Sequence, residues 1–327
     1  MQVSKSGAKN AKTQLAMMEQ LESRQMLTVD ISNGNLIIQG TNGDDVITLT
    51  VDSDDPNTLV ITENDSSTNF EDVSTFFNIR QLSLDVHIIE VFGLDGNDDL
   101  EVNEEGGPIR ISTTFDGGAG DDTIVGSAGN DWIIGGDGND VLSGGGGSDF
   151  ITGGNDDDQI FGNAGRDYLN GDAGDDTISG GNGNDEIRGG VGDDSIDGGG
   201  NNDFIDAGAG NDTVFGDWGR DSIRGGAGDD DLDGGDDQDT IDGSVGNDTI
   251  TGGLGNDWLL GGAGDDDIDG GDGTDRIDGG AGDDVMTGGP GKDFFYTGRG
   301  FDDSEVLDFG GGDVHVRGSI KINRGKF

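Results

Sequence analysis

The residues best placed to do chemistry are aspartates set nine apart. From Gly117 to Tyr296 the chain divides into twenty units of nine residues without an insertion, and position six of every unit is aspartate. These are Asp122, Asp131, Asp140, Asp149, Asp158, Asp167, Asp176, Asp185, Asp194, Asp203, Asp212, Asp221, Asp230, Asp239, Asp248, Asp257, Asp266, Asp275, Asp284 and Asp293. So many equivalent carboxylates single out no acid and no base, so the pattern points to ligation rather than catalysis. Oxygen donors select hard cations, and calcium takes six to eight of them from carboxylates and backbone carbonyls. Of the 43 acids in the array, 42 are aspartate and one is Glu186, and the short carboxylate suits a tight turn.

The elements that position these acids follow from the rest of the unit, Gly-Gly-x-Gly-x-Asp-x-apolar-x. Position eight is apolar throughout, from Ile124 to Phe295, which predicts a very short strand with one inward side chain. Position one is glycine except at Ala207, and position four is glycine except at Asp156, Asn201 and Asp237. Glycine at both is expected to permit positive φ and to bring carbonyls toward a shared point; loops with the three position-four exceptions are the least expected to bind.

The unit Gly117-Gly118-Ala119-Gly120-Asp121-Asp122-Thr123-Ile124-Val125 resembles the repeats-in-toxin (RTX, hemolysin-type) nonapeptide. The resemblance implies an all-β fold: a parallel β-roll with two units per coil and Ca²⁺ in the turns, each ion held between the aspartate of one unit and that two units along. Twenty units would then offer up to about 18 ions. The array's net charge is −37, from 43 acids against Arg166, Arg188, Arg220, Arg224, Arg276 and Lys292, so that many divalent ions nearly cancel it. One inward apolar side chain per nine residues offsets only part of the cost of ordering the backbone, so folding is expected to depend on the ion.

Composition narrows the partners. The 327 residues are 30% hydrophobic, include 68 glycines and carry a net charge of −52, which without periodicity would read as disorder. Strict register argues instead for stacked repeats. Such an acidic surface repels nucleic acid and anionic headgroups. There is no cysteine, hence no disulfide framework or thiolate site. No apolar run reaches the length of a transmembrane helix. His87 and His315 stand far apart with no zinc motif, and no Gly-x-Ser-x-Gly elbow occurs. Two stretches that begin like EF-hand loops, at Asp229 and Asp265, place Thr240 and Arg276 where glutamate is required. An enzyme is not expected. Trp132, Trp218 and Trp258 occupy unit positions seven, three and seven and are expected to point outward, where they can meet sugars or proteins.

Flanking the array, residues 28–116 alternate apolar and polar positions in short runs: Leu36–Ile38, Val46–Val51, Leu59–Thr62, His87–Phe92 and Ile109–Ile111. With isolated repeat-like units at Gly40–Thr48 and Gly93–Glu101, they are expected to form irregular β rungs capping the solenoid. Residues 297–327 are read as a C-terminal cap or export segment; Val306–Gly310 resembles the segment that closes repeat arrays in exported metalloproteases. Residues 1–27 are expected to be a disordered leader or short helix. Leu15–Met18 is too short for a signal-peptide core, so no conventional cleaved signal is expected. The leader ends in Leu21-Glu22-Ser23-Arg24-Gln25-Met26-Leu27, which resembles the LEPR-XLL leader of planctomycete exported proteins with serine in place of proline. Together these readings predict an extracellular or cell-surface calcium-binding protein of structural or adhesive role, its partners a cell-surface polysaccharide or envelope protein. The alternative is an accessory calcium-binding module of a secreted carbohydrate-modifying enzyme or hydrolase.

Overall fold

The computed structural model describes residues 28–32, 35–51, 58–65, 73–78, 88–104, 108–109, 111–297, 305–308 and 313–317. The leader and His87 lie outside these residues. Among these residues two sheets of 15 strands each, parallel except at their N-terminal ends, dominate the fold. Even-numbered units supply one sheet and odd-numbered units the other, because each nine-residue unit makes one strand and one turn. Residues 18 apart are therefore neighbours, as where Trp132 pairs with Phe150 and Val141 with Gln159. Adjacent coils stack at about 4.8 Å. No helix among the described residues is long and apolar enough to cross a membrane.

The strands are longer than the single inward residue of position eight suggests. Trp132–Asp137, for example, runs from position seven of one unit to position three of the next and alternates between faces. Two positions thus point inward, eight and one. Position eight fills the interior, with Ile124, Ile133, Leu142 and their successors all buried. Position one is also inward, and its glycine has a different purpose from the one expected. None of the position-one glycines has positive φ; that conformation belongs to positions two and four, as at Gly118 (φ +109°) and Gly120 (φ +129°).

At the N-terminal end each sheet finishes in antiparallel strands. Thr28–Ser32 pairs with Asn35–Gln39 on one, and Thr58–Asp65 lies between Asp45–Val51 and Val73–Asn78 on the other. Leu36, Ile47, Leu49 and Ile61 continue the core into this region. Two strands unforeseen in the sequence, Thr28–Ser32 and Val73–Asn78, complete these ends. The triplet at 109–111 forms no strand in its described residues Ile109 and Ile111. Pro108 before it has no amide hydrogen to give a ladder, and the neighbouring strand begins at Thr113. At the other end Glu305–Asp308 and Val314–Arg317 add one further parallel strand to each sheet.

Candidate metal centre

Each position-six aspartate closes the turn between the two sheets, and the fold draws these side chains inward. All twenty are buried. On the odd-unit edge the N–H of Asp122 donates to Oδ1 of Asp140 at 2.8 Å, that of Asp140 to Oδ1 of Asp158 at 2.8 Å, and so on coil by coil to Asp284. The even-unit edge repeats the arrangement from Asp131 through Asp149 to Asp293. The predicted ligands are thus brought together as two columns of stacked carboxylates, one per edge.

Oδ1 is satisfied in these columns, whereas Oδ2 is not. In seventeen of the twenty aspartates, Asp122, Asp140 and Asp203 among them, Oδ2 is buried and accepts no hydrogen bond. A buried carboxylate oxygen left without a donor is costly. The surroundings of Oδ2 explain both the orphaned oxygen and the position-one glycine. A Cβ on Gly117 would overlap Asp122 Oδ2 and lie 2.8 Å from the carbonyl oxygen of Gly135 one coil along. The same carboxylate, glycine and next-coil carbonyl recur at Gly135 with Asp140 and Gly153. The glycine keeps side chains out of a space lined by oxygen.

Electrostatics agree. Burial, reinforced by the like charge of stacked neighbours, pushes the carboxyl groups well above the ordinary aspartate range: to about 8 at Asp158, Asp203 and Asp239, and to about 7 at Asp122, Asp149 and Asp194. Hydrogen bonds from the stacked N–H groups oppose the shift without cancelling it. Among the described residues no three His, Cys, Asp or Glu side chains cluster in the manner of a side-chain metal site. A cation here would instead take a carboxylate oxygen and main-chain carbonyls, an all-oxygen set matching calcium.

Individual loops depart from the common unit in different ways. Asp156, Asn201 and Asp237 adopt φ of +74°, +83° and +76°, a region Asp and Asn tolerate, and the columns run unbroken through Asp158, Asp203 and Asp239. Ala207, fully buried at position one, carries a methyl group where the other units have glycine, with Asp212 still held in its column by the Asp194 N–H at 2.8 Å. Ala207→Gly is expected to lower the calcium concentration needed to order its loop. Relief of overpacking should outweigh the entropy cost of glycine and leave a net gain of about 1 kcal/mol in calcium-loaded protein, read from urea unfolding. Asp131 also differs from its counterparts, since its Oδ2 accepts the Ser127 N–H at 2.7 Å and the Ser127 hydroxyl at 2.9 Å.

The outer faces are unequal, a feature that reading at period nine concealed. Position seven is aromatic in six even units, at Trp132, Phe150, Tyr168, Phe204, Trp258 and Phe294, and in no odd unit. On the even sheet Trp132 and Phe150 meet at 4.8 Å between centroids, and Phe150 stacks on Tyr168 at 4.7 Å. Arg188 lies over Tyr168 and hydrogen-bonds its hydroxyl, while Arg276 lies over Trp258. Trp132 and Trp218 are exposed as expected. Trp258 is only partly so, being covered by Arg276. All six basic residues of the array fall in even units, whereas position five of the odd units is Asp or Asn throughout.

Comparison with known families identifies the repeat. The family model for the RTX calcium-binding nonapeptide repeat (4 copies) matches residues 116–151, 152–187, 179–214, 215–250, 242–277 and 269–303. A search of curated proteins found no match.

Proposed function

The chain belongs to the RTX calcium-binding nonapeptide repeat family, and from that premise we propose that calcium is the ligand that folds it and that it works outside the cell as a structural or adhesive component of the surface or matrix. The observation that carries this reading is the pair of columns of buried Oδ2 atoms without hydrogen-bond donors. Calcium supplies the positive charge these oxygens lack. The position-six aspartates, with the carbonyls of the position-one glycines one coil along, would hold it. Because those carbonyls converge only when coils are stacked, binding and folding form one event. Low calcium keeps the chain extended for export, and millimolar calcium orders it afterwards.

For the partner we propose a cell-surface polysaccharide bound by the even-unit face. What supports this is the aromatic column there, flat rings that suit the apolar faces of sugars, interleaved with guanidinium groups able to bind carboxylates. A structural role needs no catalytic group, and none of the array's equivalent aspartates is set apart as an acid or base.

Circular dichroism of the full chain during a calcium titration tests the folding claim, with magnesium as control. A cooperative coil-to-β transition specific to calcium is expected; β structure that persists in chelator would refute it. Chelator should also release the protein from the cell surface, whereas turnover of a polyuronate or ester would favour the accessory module of an enzyme.

A further inference from the structure

The stacked aspartates begin before the tandem repeats do. Gly93–Glu101 and Gly40–Thr48 lie outside the family match, yet the fold places both in register with the array. The Asp98 N–H donates to Asp122 Oδ1 at 2.7 Å across 24 residues, and Asp98 Oδ1 accepts the Asp45 N–H at 2.7 Å across 53. Asp98 is 2% exposed, and its Oδ2 has no hydrogen-bond partner. A Cβ on Gly93 would overlap that oxygen and lie 2.5 Å from the Gly117 carbonyl oxygen, the arrangement seen at Gly117 itself. Leu94 takes φ +96° where the array has Gly118. Leucine holds such a backbone state only where the surroundings impose it.

Asp45 is different. Its Oδ2 accepts the Thr41 N–H at 2.5 Å and the Thr41 hydroxyl at 3.1 Å. On the other edge the first aspartate of the column, Asp131, is closed in the same way by Ser127. Beyond it stands Thr113, whose N–H and hydroxyl both donate to Asp131 Oδ1. Each column therefore starts at an aspartate whose Oδ2 is occupied by a hydroxyl and an amide from position two of its own unit.

We propose that Asp98, with the Gly117 carbonyl, forms a calcium site outside the tandem array that fastens the N-terminal rungs to the roll, and that Thr41 and Ser127 end the two runs of ions by capping Asp45 and Asp131. This rests on calcium being the ligand of the array. The hydroxyl and amide hydrogens take the lone pairs that an ion would use, so the terminal carboxylates are satisfied without metal. The first ions on the two edges then sit at Asp98 and Asp149.

Native mass spectrometry of the full chain at saturating calcium, counting bound ions, tests the inference. Asp98→Asn keeps the acceptor for the Asp45 N–H and removes the charge; it is expected to bind one ion fewer. Gly93→Val, which fills the space and leaves the carboxylate, should show the same loss. Ser127→Gly restores the residue usual at position two and should bind one ion more. Amide exchange over 140–287 in calcium should stay at the wild-type level in Asp98→Asn, while protection over 88–104 falls. An unchanged ion count in Asp98→Asn and Gly93→Val overturns the Asp98 site, and an unchanged count in Ser127→Gly overturns the capping. A wild-type chain that binds no calcium refutes instead the reading on which both rest.

Discussion

Gly171→Val is expected to destabilise the calcium-loaded protein by about 3 kcal/mol and to abolish binding in its own loop, because the added side chain has no space to enter. A Cβ at Gly171 overlaps Asp176 Oδ2 on one side and lies 2.6 Å from the Gly189 carbonyl oxygen on the other. A single methyl group is accommodated at this position, since Ala207 leaves Asp212 holding its bond from the Asp194 N–H at 2.8 Å; the two further methyl groups of valine are expected to push the carboxylate out of the column and break its bond from the Asp158 N–H. Gly200→Val is the matching control. It lies at position three, where a Cβ meets nothing nearer than 3.9 Å, and a change within about 0.5 kcal/mol is expected. Urea unfolding in calcium measures both; equal effects would mean that the position-one glycine serves only backbone freedom.

The second large effect concerns pH. Without metal, the folded chain holds many buried aspartates at about 6 to 8, Asp140, Asp122 and Asp239 for example, against an ordinary value of 3.8. Because these values are raised by folding, the folded state binds more protons than the unfolded chain between about pH 4 and pH 8. The stability of the metal-free fold therefore falls as pH rises through that window and grows as pH is lowered. Calcium-free protein that is coil at pH 8 is expected to gain β structure on acidification to about pH 5, the proton standing in for the ion. Calcium works in the opposite sense: at neutral pH its binding should expel protons, and its apparent affinity should weaken on acidification. Circular dichroism in calcium-free buffer follows the first effect, and proton release on calcium addition to unbuffered protein the second. A metal-free chain indifferent to pH would show that the carboxylates do not limit folding.

Much of this molecule was legible along the chain. The nine-residue period pointed to stacked repeats that bury Ile124, Ile133, Leu142 and the rest alike, and the resemblance to the RTX nonapeptide implied the two units per coil that make residues 18 apart neighbours. Aspartate at an invariant place, with only oxygen donors around it, pointed to a hard cation before any coordinate was known. Other features eluded a unit-by-unit reading because they exist only between coils. The aromatic column needs period 18 to be seen, since Trp132 and Phe150 are neighbours only through the sheet.

What the linear order by itself determined is thus the repeat, its inward apolar residue and the identity of its acid, because each is a property of one unit and its neighbours in sequence. Tertiary structure alone decided which atoms remain without partners. Within the array, stacking engages Oδ1 of one aspartate with an N–H 18 residues away, as at Asp140, and leaves Oδ2 facing a carbonyl of the next coil, so the position-one glycine is set by space between coils and not by φ. Stacking also brings Asp98 and Asp45 of the two isolated repeat-like units into one column with the array, across coil lengths of 24 and 53 residues that the sequence does not relate to the period. Backbone hydrogen bonding between coils depends on which rungs are adjacent in space and is indifferent to the length of chain that loops out between them.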